Sequence, residues 1–351
     1  MPDQSPRPTL LLQVDLDSLW AIRRVYGLSG GPSATQPDPV FCTGLERLLD
    51  LLAARRVPAT FFTIGKDSLP DAHRVLLRRA LAEGHEIANH SETHPLGLGR
   101  LTPLEIRSEI ERANDAIELV TGRRPVGFRA PGFDCSPTVL QAVAESGLLY
   151  DSSLLPTLAA PVLRVAARFL AKKGTARSGK EENAAIPSPH PEGDGGSSGH
   201  YGDGQVHRAP RIPYFADLQA PWHSLGSLEE TVESLLPPPA GSLLEVPVSV
   251  TPFLRLPIHA SVSLALGGLW TRFALASVLA GTPVVVYLIH AIDLADGNAL
   301  EGLPGGFLGR RLFRQSLAYK QAYLERALDR LLARCKPERT DNFIHRTLRR
   351  T

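Results

Sequence analysis

Two imidazoles four residues apart, His90 and His94 in the run His90-Ser91-Glu92-Thr93-His94, are the side chains here best suited to hold a metal ion. Neutral imidazole is the commonest side-chain metal ligand, and residues at i and i+4 share a face where the chain makes a helical turn. The pair follows Glu86-Ile87-Ala88-Asn89, an apolar segment that reads as a strand end. Two acids, Asp15 and Asp17, close the run Leu10-Leu11-Leu12-Gln13-Val14-Asp15-Leu16-Asp17, and the period of two along a strand puts both on one face. Arg129, Asp151 and His290 also stand at the ends of apolar runs. Taken singly, each has an ordinary explanation as a turn acid, a core histidine or a solvated charge. In an α/β layout strand ends converge on one rim, and there the same residues form a site.

That rim needs strands and helices in alternation. Stretches 10–17, 59–64, 86–89, 126–131, 148–151, 243–250 and 284–289 read as strands. Helices are expected between them. Thr43 and Glu46 form a capping-box pattern ahead of the stripe Leu45, Leu48, Leu49, Leu52. Residues 70–83 are amphipathic, and Thr102-Pro103-Leu104-Glu105 supplies an N-cap, a Pro at the first helical position and a capping Glu. A further helix starts at Ser136-Pro137 and stops at Gly147, and 313–335 reads as a final amphipathic helix. The alternation argues for an α/β fold with a parallel sheet or barrel. Residues 260–280 are apolar, but Arg272 interrupts them and Gly281-Thr282-Pro283 ends them, so a helix packed on the sheet is expected in place of a membrane span. From 171 to 211 the chain is rich in Gly, Ser, Pro and charge and is expected to be a disordered insertion, with His190, His200 and His207 solvent-exposed.

The 351 residues are 43% hydrophobic, enough for a large core. A net charge of +2 gives no field that would draw nucleic acid, and the arginines at the end (Arg346, Arg349, Arg350) read as a short solvated tail. Cys42, Cys135 and Cys335 are odd in number and far apart, so no disulfide framework is implied. The polar, Pro-rich stretch 1–9 and the short run Leu10-Leu11-Leu12 do not make a secretory signal, and a cytoplasmic location is expected. No G-x-G-x-x-G follows the first strand, which excludes a dinucleotide oxidoreductase.

In this order the residues resemble the polysaccharide deacetylase family, which includes chitin, peptidoglycan and chitooligosaccharide deacetylases. The acidic motif is Val14-Asp15-Leu16-Asp17-Ser18, the His motif His90-Ser91-Glu92-Thr93-His94, the arginine motif Arg129-Ala130-Pro131-Gly132-Phe133, the fourth Asp151-Ser152-Ser153-Leu154 and the fifth Leu288-Ile289-His290. The resemblance implies an incomplete, distorted (β/α) barrel: one catalytic domain over 1–351, carrying the 171–211 insertion and a C-terminal helical segment at 305–351. It implies a divalent metal, zinc foremost, on Asp17, His90 and His94. Asp15 becomes the base, although Leu16 separates acids that are usually adjacent, and the reverse assignment of Asp15 and Asp17 stays open. By the same resemblance Arg129 steadies Asp15, and His290 protonates the leaving amine. Asp151 either orients His290 or pairs with Arg129. Pro131 and Phe133 bind substrate, with a backbone N–H near Phe133 for the oxyanion. Leu154 stands where the family has a groove-lining Trp.

The implied reaction is removal of an N-acetyl group from an amino sugar. The Asp-x-Asp start is similar to the branch acting on intracellular or lipid-linked sugars, which leaves room for peripheral membrane contact and gives no reason to expect nucleic acid. Two alternatives are hydrolysis of a formamide, cyclic amide or ureide and a non-catalytic sugar-binding role. His85, Glu86 and Cys135 read as structural; Trp222-His223 either lines a groove or packs.

Overall fold

Every side chain of strand β1 (Thr9–Leu16) from Leu10 onward is buried, as a strand covered on both faces requires. The computed structural model describes residues 7–26, 28, 38–158, 205–227, 238–296, 300, 303, 312–313 and 315–348. On one side β1 pairs in parallel with β9 (Val284–His290), which brings Asp15 opposite His290. On its other side the first residues pair with β10 (Lys336–Glu338) and the last with β2 (Thr60–Thr63). The parallel order continues through β3 (Glu86–Asn89), β4 (Gly127–Phe128), β5 (Tyr150–Asp151) and β8 (Ser242–Glu245). The antiparallel hairpin of β6 (Tyr214–Asp217) and β7 (Ala220–Ser227) adds to β8. Past β8 the chain crosses back. Val246 N–H donates to Asp151 O (2.8 Å), Val248 N–H to Leu154 O (3.0 Å) and Ser249 N–H to Val286 O of β9 (3.2 Å). The sheet therefore curls toward closure without completing it, and the incomplete, distorted barrel is what the structure shows.

The two-residue period of β1 divides its faces. Leu10, Leu12, Val14 and Leu16 join the outer core, packed on helices α2 (Leu45–Arg55), α3 (Asp71–Ala82) and, further along the chain, those at Gly268–Leu279 and Leu317–Arg334. Leu11 belongs to the inner cluster with Phe62, Ala88 and Tyr150, so Gln13 and Asp15 face into the curl. The remaining helices are α1 (Leu19–Val25), α4 (Pro103–Thr121), α5 (Pro137–Glu145), α6 (Ala260–Leu266), α7 (Gly268–Leu279), α8 (Leu317–Arg334) and α9 (Thr340–Leu348).

Several sequence expectations change. The capping box at Thr102 forms in full, Glu105 N–H donating to the Thr102 hydroxyl and Thr102 N–H to the Glu105 carboxylate. The one expected at Thr43 and Glu46 does not form. A turn of π-helix over Val40–Gly44 precedes α2, and Asp38 caps it by accepting Val40 and Phe41 N–H, both at 2.9 Å. The apolar stretch at 260–280 is two helices broken at Gly267, whose φ of 92° suits glycine. The strand expected at 243–250 ends at Glu245. Strand β10 interrupts the C-terminal segment expected to be helical, because Pro337 and its neighbours pair with the start of β1. The expected 171–211 insertion lies outside the described residues up to 204; from 205 it forms a 3-10 turn, Val206–Arg208, that includes His207. Arg346 is in α9 and pairs with Glu338 at 2.7 Å, so that part of the expected tail is ordered structure. No helix among the described residues is long and apolar enough to cross a membrane.

Candidate metal and catalytic site

Asp17 lies one residue past the end of β1, and His90 one residue past β3. Residues 90–94 do not make the helical turn that the i, i+4 spacing suggested. Ser91 and His94 have φ of 62° and 51°, in the left-handed region. Side chains hold this turn in place of helical hydrogen bonds. Ser91 N–H donates to Asn89 Oδ1 (2.7 Å), His94 N–H to Ser91 Oγ (3.1 Å) and Thr93 N–H to Glu109 Oε2 (2.8 Å). The imidazoles converge nonetheless. Nε2 of His90 is 3.3 Å and Nε2 of His94 3.4 Å from Asp17 Oδ1.

The donor set fits a divalent cation. His90 Nδ1 is 2.7 Å from the Arg129 carbonyl. That carbonyl can only accept, so Nδ1 carries the proton and Nε2 is left with its lone pair toward Asp17. Asp17 Oδ1 is buried and accepts no hydrogen bond, and an orphaned carboxylate oxygen facing two imidazoles is costly without a cation. Burial pushes the Asp17 carboxyl up, but the imidazoles, His94 foremost, outweigh it and hold the group well below the usual carboxylate range. Burial likewise opposes charge on His90, yet Asp17 and the other acceptors raise it overall. Two imidazoles and one carboxylate leave coordination positions open, the pattern of catalytic and not structural sites.

Beside this trio lies an ion pair. Arg129 is fully buried. Its Nη1 donates to Asp15 Oδ1 at 2.6 Å, its Nε to Ser152 O at 2.8 Å, and its Nη2 to Ser152 Oγ at 2.9 Å and to Gln13 Oε1. The guanidinium sits 4.2 Å from the centre of the Phe62 ring. The other Asp15 oxygen is 3.6 Å from His290 Nε2. His290 is held from behind by Asp293, which accepts its backbone N–H at 3.0 Å, and by Ser261. Ser261 Oγ donates to Asp293 Oδ1 at 2.8 Å and lies 3.2 Å from His290 Nδ1. The His259 ring lies 5.8 Å from that of His290, and burial pushes its pKa down to about 3, which keeps it neutral.

Asp151 does neither of the things expected of it. Tyr150 points into the curl and bonds Glu86, so the next residue of β5 must point outward. Asp151 accepts from Ser153 Oγ (2.6 Å) and Ser153 N–H (3.3 Å), and shares a buried cluster with Cys135 and Glu245. Ser153 Oγ in turn accepts Ala130 N–H at 2.8 Å, so Asp151 steadies the loop after Arg129. Pro131 and Phe133 are on that loop. Phe133 has φ 60° and donates its own N–H to Ala130 O at 3.2 Å, which engages the group expected for an oxyanion. Its ring packs on Leu155, Val248, Val250 and Leu288. Leu154 is wholly buried and lines no open groove, and Trp222 packs on the cluster around it. His85 accepts Ala59 N–H at 3.0 Å, a structural contact.

Sequence reasoning missed Gln13, Ser152, Ser261, Asp293 and His259. Gln13 was within reach, two residues before Asp15 on the same strand face. Asp293, three residues after His290, is spaced like a cap. Ser261 and His259 come from a segment that only the fold brings to His290.

Residues 39–150 match the polysaccharide deacetylase family. A chitooligosaccharide deacetylase from Bradyrhizobium sp. (strain ANU 289) is 40% identical over 137 residues, 37% of this chain and 60% of that protein. The peptidoglycan-N-acetylmuramic acid deacetylase PdaC of Bacillus subtilis is 40% identical over 86 residues, 24% of this chain and 18% of that one. The crystal structure of a Mycobacterium smegmatis protein assigned to the polysaccharide deacetylases superposes with a TM-score of 0.56 at 19% identity, covering 99% of this chain and 92% of that one, a likeness of fold. Over residues 39–150 this chain is similar to the polysaccharide deacetylase family, and it spans less than two thirds of the length of the curated relatives it matches.

Proposed function

We propose that the protein is a metal-dependent hydrolase that removes an N-acetyl group from an amino sugar, with 1–351 acting as one catalytic domain. The observation that carries the reading is the meeting of Asp17 Oδ1 with two imidazole nitrogens beside an Asp15 carboxylate held between Arg129 and His290. Asp17, His90 and His94 would hold the divalent ion, zinc foremost, and when bound it would supply a Lewis acid and an acidified water. Asp15 accepts a proton at the oxygen that Arg129 leaves free. Arg129 fixes the direction of that carboxylate, because four contacts allow the guanidinium no other pose. His290 then gives a proton to the departing amine, which leaves poorly without one. Ser261 and Asp293 keep its ring aimed.

The amino-sugar class draws support from the relatives named for chitooligosaccharides and peptidoglycan. Within that class we favour an intracellular or lipid-linked sugar and a cytoplasmic location, since Cys42, Cys135 and Cys335 are free thiols. The test is His90→Ala and His94→Ala, each scored for bound metal by elemental analysis and for acetate released from N-acetylated sugars. Both variants should lose stoichiometric metal and turnover together. Full turnover in either, after chelator treatment, refutes the metal assignment.

A further inference from the structure

Between Glu245 and Asp293 the chain contains no acidic residue, and its only Arg or Lys residues are Arg255 and Arg272. Much of this segment's apolar surface faces outward. Phe253 is 92% exposed and Leu254 63% on the turn before α6, and Leu269 is 83% and Phe273 63% exposed on α7. Leu269, Arg272, Phe273 and Ala276 are spaced by three and four and share one helix face, all of them exposed. Leu269 and Phe273, two large apolar side chains exposed on one helix face, mark an interaction site and not ordinary surface.

A cavity of about 360 Å³ opens between α7 and α8, with Leu275 and Leu279 on its floor and Arg272, Arg330 and Arg334 around it. Among the described residues no ion pair engages these three arginines, while Asp329 of the same helix is taken up by Arg55 at 2.8 Å. The face thus offers exposed apolar side chains and unpaired positive charge, with no acid of its own segment to repel an anion. We infer that α7 docks on an anionic phospholipid bilayer, with Arg272, Arg330 and Arg334 receiving a lipid phosphate. Charge complementarity selects this occupant. A bilayer surface supplies apolar depth beside a layer of phosphates, and amphipathic helices with cationic rims bind there. Ser261, which holds His290, is on α6, so the docking face and the residue that steadies the proposed acid are on consecutive helices. Presentation of a lipid-linked sugar to the site rests on the function proposed above; binding to the bilayer does not.

The full chain is sedimented with vesicles of phosphatidylcholine alone and with added phosphatidylglycerol, and no substrate is present, so loss of deacetylase activity and loss of docking remain separate results. Binding is expected only with phosphatidylglycerol, and it should weaken as salt rises. Arg272→Ala/Arg330→Ala/Arg334→Ala should lower it on the order of a hundredfold, at roughly fivefold per arginine. Leu269→Asn/Phe273→Asn, surface changes whose fold is checked by circular dichroism, should lower it at least about tenfold. Saturating inorganic phosphate should leave the protein on the vesicles. Equal binding to both vesicle types, binding to neither, or release by free phosphate overturns the proposal. So does a wild-type dimer in ultracentrifugation that Leu269→Asn/Phe273→Asn dissociates, since a second copy would then cover the face.

Discussion

Replacing Arg129 with methionine removes the charge at the centre of the site while keeping much of the side-chain length. The guanidinium is wholly buried and Asp15 is 3% exposed, so water cannot take its place. Removing one member of a buried ion pair leaves the other charge uncompensated, at a cost of about 3–5 kcal/mol. The Ser152 carbonyl also loses its Nε donor at 2.8 Å, which adds roughly 1 kcal/mol. Gln13 Oε1 is left with Ser152 Oγ at 3.1 Å, whose single proton also serves Val246 O at 2.6 Å. The expected loss is therefore about 4–6 kcal/mol, against the roughly 5–15 kcal/mol that holds a typical domain together. The loss is read from urea unfolding of the metal-stripped protein at pH 8. The double variant Arg129→Met/Asp15→Asn should recover at least about 2 kcal/mol relative to the single, since it leaves neither charge of the pair unpaired. A single variant that loses under about 1 kcal/mol, or a double no more stable than the single, would show that the pair is not the buried, desolvated contact argued here.

Asp293→Asn should lower kcat by up to about 10²-fold with metal content unchanged, as His290 loses the carboxylate behind it; an unaltered kcat removes Asp293 from the site. Burial, with Asp341 as a neighbouring like charge, raises the Glu86 carboxyl from 4.5 to about 7. Its folded pKa exceeds the unfolded one, so its contribution is fully present below pH 4.5 and is lost as pH rises toward and through 7, by at most about 3 kcal/mol. Burial raises Asp67 to about 6, with the same sign. Urea midpoints should fall between pH 5 and pH 8, and Glu86→Gln should flatten that slope; an equal slope in the variant assigns the effect elsewhere. Gly127→Ala should destabilise by about 1–3 kcal/mol, because a Cβ there would lie 2.0 Å from Tyr150 Cζ. A neutral thermal melt would mean that Tyr150 can yield.

What the chain determines locally was legible in its residues. The alternation of apolar runs and capped helices specified the α/β class, since each strand's burial and each helix's stripe is a property of its own few residues. Asp15, Asp17, His90 and His94 were identifiable because metal-capable side chains at strand ends are a short-range pattern. What tertiary structure decided was direction. Tyr150 enters the curl, so Asp151 is turned outward to Ser153 and Glu245, and no spacing in the sequence shows which of two alternating faces is the inner one. Ser261 became a partner of His290 because β9 ends beside α6, an adjacency set by packing and not by local propensity. The turn at 90–94 abandoned the helical path that its spacing suggested, since Asn89, Ser91 and Glu109 reward a left-handed one, and Glu109 reaches it only from α4, once the sheet has brought that helix alongside β3.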